Sequence, residues 1–390
     1  MATRESVERA IAPPFGDEHE QLRSSIRRFV ANELAPNAQE WEDARWFPND
    51  VFHRMAELGF LGLKYPEELG GEGGDYLHDA VLVEELARCG SGGLAAGIGA
   101  HIGIATPPVF KFGTADQKRR FLEPAIRGEK IAALGITEPD AGSDVAGIRT
   151  LARRVDRGYV VNGSKTFITN GVRADFVVTA VKTTQEGGHH GLSFLVLEKG
   201  MEGFTVSRKL EKMGWHASDT GELAFQDVFV PDENLLGEEH RGFYLIMANF
   251  QWERLLMALG SVGAMFVILE KTIEYARERS AFGRPIGSHQ VIRHKIAEMA
   301  LRAETGRAIT YNALRLFYEG HDAVKEVTIA KLKTQRDAFE QADDALQVFG
   351  GAGYMKEYGI ERAARDLRLG PIGGGTDEIM KEILGKQLGL

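Results

Sequence analysis

A chain of 390 residues, 43% of them hydrophobic, is long enough to bury a large core and to divide into two or three domains. Its net charge of −9 is spread without an acidic or basic block, which argues against nucleic acid and anionic membrane surfaces as partners. The single cysteine, Cys89, excludes an internal disulfide and a thiolate metal cluster.

The opening stretch "MATRESVERAIAPPFGDEHEQ" has no apolar core long enough for a signal peptide. No later run looks like the long uncharged stretch of a membrane span, so a soluble cytoplasmic protein is expected. Up to about residue 130 the pattern is helical. "DEHEQLRSSIRRFVANEL" puts Leu22, Ile26, Phe29 and Val30 on one face, with Asp17 as its expected cap. "GDYLHDAVLVEELARCG" and "TADQKRRFLEPAI" read as two further amphipathic helices. From about 131 to 235 short β-branched runs take over, punctuated by Gly, Asn and Asp. "GYVVNGSKTFITNG", "DFVVTAVKT", "GLSFLVLEKG" and "GELAFQDVFVP" predict strands and hairpins. From 241 onward long helical segments return, beginning with "FYLIMANFQWERLLMALGSVGAMFVILEKTIEYARERS". Helices, strands, then helices predict an α+β fold, mainly α, with segregated layers and domains at 1–130, 131–240 and 241–390.

A G-x-G-x-x-G after a strand, a Walker loop, an H-E-x-x-H and a G-x-S-x-G are all missing from the sequence. The adjacent His189 and His190 have no carboxylate or cysteine companion, and a solvated pair without a metal is the expectation. Four other stretches carry the candidate chemistry. "LGITEPDAGSDVAG" (134–147) mixes apolar residues with Thr137, Ser143 and glycines, fitting either a loop laid against a planar ligand or a crossover between domains. "FITNG" (167–171) offers an aromatic face at Phe167, the Thr169 hydroxyl and an Asn-Gly turn, although Phe167 could equally be core. "RSAFGRPIGSHQ" (279–290) spaces Arg279 and Gln290 by a Gly- and Pro-containing loop suited to a phosphate group, while Arg279 alone also fits a helix C-terminal charge. "QVFGGAGYMKEYG" and "GPIGGGTDEIM" supply glycines for close backbone approach, the second with Thr376 as a helix cap.

In this order the stretches resemble the acyl-CoA dehydrogenase family across essentially the whole chain. The most specific matches are "TEPDAGSDVAG", "NGSKTFITNG", "ERSAFGRPIGSHQ" and "GGAGYMKEYGIERAARDLRLGPIGGGTDEIMKEI". The resemblance implies an N-terminal helical domain, a middle β-domain and a C-terminal four-helix bundle. It also implies one FAD per subunit and a homotetramer, with acyl-CoA as substrate and an electron-transferring flavoprotein as electron acceptor. Carried over to this sequence, it implies that Ile136, Thr137, Ser143, Phe167, Ile168 and Thr169 surround the cofactor, Ser143 also lying near substrate. Arg279, Phe282, Gln290, Gln347, Gly350 and Gly351 are expected to reach a neighbouring subunit's FAD, and Thr376 and Glu378 to cap the dinucleotide. Tyr244, Gln251, Arg254 and Gly374 are the expected substrate contacts.

Many members carry their catalytic glutamate where this chain has Gly374. In isovaleryl- and long-chain-type members it lies on an earlier helix, at the position that Glu253 occupies in "FQWERLLMA". Phe250, Leu256 and Met257 flank that position at helical spacing, a setting that suits a general base. A tyrosine of several relatives is replaced by Gly373, which predicts a wider floor and acceptance of branched acyl chains. The competing readings are a same-fold oxidase or monooxygenase, and a non-catalytic acyl-CoA- or FAD-binding protein.

Overall fold

The structure is a computed structural model that describes residues 14–184 and 188–390. The N-terminal stretch weighed for a signal peptide lies largely outside the described residues, as does the His189 side chain. The chain forms two compact units. One takes residues up to 39 together with 76–92 and 254–390; the other takes 40–75 and 93–253.

In the first unit, helix α1 (Asp17–Phe29) turns Ile26 and Phe29 inward, and Val30 beyond it is also buried. Its cap differs from expectation. Gly16 is the N-cap, its N–H donating to His19 Nδ1 at 3.0 Å, and Asp17 is already the first helical residue. Helix α2 (Tyr76–Leu86) meets α1 through Arg23, which donates to Glu84 at 2.9 Å and Glu85 at 3.1 Å. Tyr311 also donates to Glu84, so the buried carboxylate has partners on two sides. Cys89 is buried in the turn after α2, its thiol donating to the Ser91 carbonyl at 3.2 Å. The C-terminal helices are α3 (Gly242–Glu278), of which this unit takes the part from Arg254 on, α4 (Gln290–Tyr318), α5 (Val324–Phe349), α6 (Ile360–Leu367) and α7 (Asp377–Gln387). Val262 and Met265 of α3, Met299 and Ala303 of α4, and Ala338 and Ala342 of α5 form one core cluster. The small residues of α5 let neighbouring helices approach closely.

The second unit is built on an 8-stranded sheet. Its strands are β1 (Ala132–Gly135), β2 (Leu151–Val155), β3 (Gly158–Thr169), β4 (Phe176–Lys182), β5 (Leu192–Glu198), β6 (Phe204–Lys209), β7 (Thr220–Pro231) and β8 (Leu235–Leu236). The order is β6-β7-β3-β2-β4-β5-β8, with β1 parallel to β4. β4 and β5 are apolar and buried on both faces, so they occupy the middle of the unit; β6, largely exposed, forms an edge.

One expectation is corrected. By length and composition, Gly92–Phe112 and Gly242–Glu278 are apolar enough to cross a membrane. Their apolar windows are 72% and 50% buried within the protein, as those of core helices are.

Candidate active site

In the second unit, β1 delivers the chain into the loop expected to meet a planar ligand. Glu138 and Ala141 exchange two backbone hydrogen bonds there, closing a tight turn. Below it, Lys165 of β3 is wholly buried and donates to the Ile136 carbonyl at 3.0 Å and to Glu138 Oε1 at 2.7 Å. Burial pulls the Lys165 ammonium down to about 8, against the pull of Glu138. The Thr137 carbonyl accepts from the Thr166 N–H at 2.9 Å. With both carbonyls engaged behind the loop, the Thr137 N–H and hydroxyl have no protein acceptor among the described residues. Ser143 is exposed on the same loop.

β3 carries a bulge against β7 between Lys165 and Ile168, and Phe167 stands in it at φ +61° with 68% of its surface exposed. The core alternative for Phe167 is therefore excluded. A bulky residue at positive φ is strained, and bulges re-aim side chains beside functional sites. Ile168 is a correction of a different kind. Its side chain is buried in the sheet core, so only its backbone can face a ligand. Thr169 is half-buried at the strand end.

In the first unit, Arg279 follows α3 and leads into a two-residue hairpin, β9 (Ser280–Ala281) and β10 (Arg284–Pro285), where an irregular loop was expected. Phe282 and Gly283 make its turn at φ +53° and +77°, and the Phe282 ring is 95% exposed. Two phenylalanines thus sit exposed on strained backbone, each at a position the sequence assigned to the cofactor. The Arg279 guanidinium makes no hydrogen bond or ion pair among the described residues and opens onto a cleft of about 570 Å³ with Gly350, Gly351 and Tyr358. A Cβ at Gly350 or Gly351 would meet nothing within 4 Å, so packing inside the chain does not demand glycine at 351. Free space, a free cation and stacked aromatic walls (Tyr275 and Phe349, 4.0 Å between centroids) fit the phosphate and ring portions of a dinucleotide. Gln347 is exposed shortly before the glycines, whereas Gln290 lines a different cleft with His294, Lys295 and Asp344.

Helix α3 carries the remaining polar positions. Tyr244 and Gln251 share one side, and Glu253 lies about 200° further around than Gln251, at about 100° per residue. The helix therefore does not gather these three on one face. Glu253 is half-buried, with Oε2 shielded from solvent. Met257 follows it one turn later on the same side, and Arg254 is buried. Gly374 has φ +62°, and a Cβ built there would lie 2.3 Å from Met257 Sδ. Gly373 is roomier, its nearest neighbour being Leu369 at 3.7 Å. Thr376 caps α7 by accepting from the Ile379 N–H at 3.3 Å. Glu378 in the first turn is held below the usual carboxylate range by its own backbone N–H and the Thr376 hydroxyl. Asp377 is buried and paired with Arg336.

Two buried lysines, Lys165 and Lys331, escape a reading by residue type. Spacing holds a signal for the second: Val327, Lys331, Thr334, Gln335 and Ala338 recur at helical intervals and are all buried, so the lysine interrupts an inward stripe of α5.

These features match one group of proteins along the whole chain. The acyl-CoA dehydrogenase N-terminal, middle and C-terminal domain models match residues 16–129, 133–228 and 240–389, and the chain belongs to the acyl-CoA dehydrogenase family. Mitochondrial isovaleryl-CoA dehydrogenase of Arabidopsis thaliana is 38% identical over 96% of this chain and 92% of its own. Mitochondrial long-chain specific acyl-CoA dehydrogenase of Mus musculus is 39% identical over 96% of this chain and 87% of its own. Among solved structures, a probable acyl-CoA dehydrogenase from Mycobacterium abscessus superposes with a TM-score of 0.93 at 45% identity, covering 96% of this chain and 99% of that one. The FAD complex of PigA superposes with a TM-score of 0.93 at 31% identity, covering 96% and 98%. The expected architecture of helical, β and helical domains is the family's own.

Proposed function

We propose that this enzyme oxidises an acyl-CoA thioester to its trans-2-enoyl-CoA, with FAD bound by the residues described above and Glu253 as the base. Bound FAD supplies the two-electron acceptor for the hydrogen that leaves the β-carbon. Glu253 takes the α-proton, and the Gly374 N–H donates to the thioester oxygen on which negative charge develops. Thr137, with its N–H and hydroxyl unengaged, hydrogen-bonds the cofactor ring edge, and Phe167 covers one flank. Arg279, Gly350 and Gly351 receive the dinucleotide of a neighbouring copy in a tetramer. An electron-transferring flavoprotein takes the electrons onward.

The observation that carries the choice of base is the space at Gly374. The turn has a left-handed backbone there, and Met257 fills the place a side chain would need. A carboxylate at the late position would need strained backbone and a shifted Met257 side chain, while Glu253 stands one turn before Met257 on a largely apolar flank. Glu253→Gln keeps shape and removes the proton acceptor, so FAD and acyl-CoA binding persist while turnover falls by about 10²–10⁴-fold. Anaerobic stopped flow decides it: near wild-type flavin bleaching in Glu253→Gln sinks the assignment. Slow reoxidation of the bleached enzyme in air separates a dehydrogenase from an oxidase. A kcat/KM panel over straight and branched acyl-CoAs tests whether Gly373 admits branching.

A further inference from the structure

Lys331 lies wholly buried on α5, behind the triple-glycine turn. Its Nζ donates to the Gly370 carbonyl at 3.0 Å and to the Gly375 carbonyl at 2.6 Å, the two ends of that turn. Among the described residues no carboxylate lies within 4.0 Å of the ammonium, so backbone oxygens are what solvate it. A charge buried in this way is costly, and a methionine of similar length would avoid the cost. What the lysine achieves is directional. With the Gly375 carbonyl drawn inward, the N–H of the same trans peptide, that of Thr376, turns the opposite way. The N–H groups of Gly374, Gly375 and Thr376 have no protein acceptor among the described residues. Three consecutive free amides at a helix start make a concavity for negative charge.

The neighbours of Lys331 on α5 brace the same turn. Gln335 donates to the Met257 carbonyl and to Ser261 Oγ, both at 2.7 Å, fixing α5 to α3. Gly370 lies so close to Gln335 that a Cβ would fall 2.0 Å from Oε1. Arg336 pairs with Asp377 in the first turn of α7. Lys331 is thus the middle of a clamp whose other members hold the helices on either side.

We propose that Lys331 is a positioning residue that turns the Gly374, Gly375 and Thr376 amides toward the acyl thioester and the anionic group beside it; this rests on the reading of Gly374 given under Proposed function. Burial, and the Arg254 guanidinium, pull the ammonium down to about 8 against Asp377 and Glu378, in keeping with a cation solvated by carbonyls alone.

The test uses FAD-loaded Lys331→Met and Lys331→Gln beside the wild type. In Lys331→Met the amides of 368–380 should exchange hydrogen about tenfold faster, with other segments unchanged. Its kcat should fall about 10- to 100-fold while KM stays within about threefold, because the loss falls on charge developing in the transition state. Lys331→Gln, which keeps a donor, should recover part of both. Unchanged exchange in 368–380, or acceleration spread over the whole chain, overturns the proposal. If Lys331→Met fails to fold, the same two readings on Lys331→Gln decide. Should the wild type oxidise no acyl-CoA, the function reading fails alone, and exchange still decides whether Lys331 holds the turn.

Discussion

His101 sits between two backbone groups in the second unit, its Nδ1 accepting from the Ala132 N–H at 3.0 Å and its Nε2 facing the Ala125 carbonyl at 3.0 Å. That pairing fixes the neutral ring with its proton on Nε2, and burial pushes the pKa down to about 4. Below the ordinary value of about 6.5 the unfolded chain takes up a proton that the folded chain refuses, so stability falls as pH falls through the window down to 4. The expected loss between pH 7 and pH 5 is about 2 kcal/mol, and His101→Asn should show a much flatter pH dependence in urea unfolding. At Gly374 the same scale of argument restricts a rescue. Moving the base by Glu253→Gly with Gly374→Glu places an L-residue in left-handed backbone, at about 1–2 kcal/mol, against the Met257 sulfur. The pair should regain little anaerobic flavin reduction until Met257→Ala is added, and full recovery without it would refute the crowding. The expectation placed on Glu253 came from the resemblance to members that carry their glutamate at this helix position. The burial of Lys165 was not legible, because it depends on what the fold lays over it, and that of Lys331 was marked only by its place in an inward stripe of α5.

At the scale of elements, the hairpin of β9 and β10 shows how strain and exposure coincide. A turn with both central residues at positive φ favours Asn-Gly, and this chain spends the first position on phenylalanine. Phe282→Asn should stabilise the chain by about 0.5–1 kcal/mol, since it relieves an unfavourable backbone conformation. On the cofactor reading it should also release FAD more readily, which dialysis followed by flavin absorbance measures. The long strands were readable as β-branched runs bounded by Gly, Asn and Asp, and the long helices from their length and apolar spacing. β1 and the hairpin were missed because four or fewer residues carry no period, and β2 because "LARRV" shows two exposed arginines. The cap of α1 was misread because the side chain that completes it belongs to His19, inside the helix.

For the whole molecule, the order of helices, strands and helices follows from composition changes long enough to average out local ambiguity. The division into two interleaved units does not, because contacts between segments far apart in sequence leave no local mark. If neighbouring copies share their dinucleotides, Arg279→Ala should elute at the wild-type size and without flavin. A variant that keeps its full flavin absorbance after gel filtration would show that this guanidinium does not hold the cofactor. The chain's solitary thiol offers a different kind of access. Cys89 is 2% exposed, so a colourless thiol reagent can reach it only when the first unit opens around the turn after α2. Where reclosing outruns labelling, the rate of modification reports the free energy of that opening directly. Without a single substitution, the protein carries its own stopwatch for breathing, and adding FAD or acyl-CoA should slow it in proportion to how tightly each holds the unit shut.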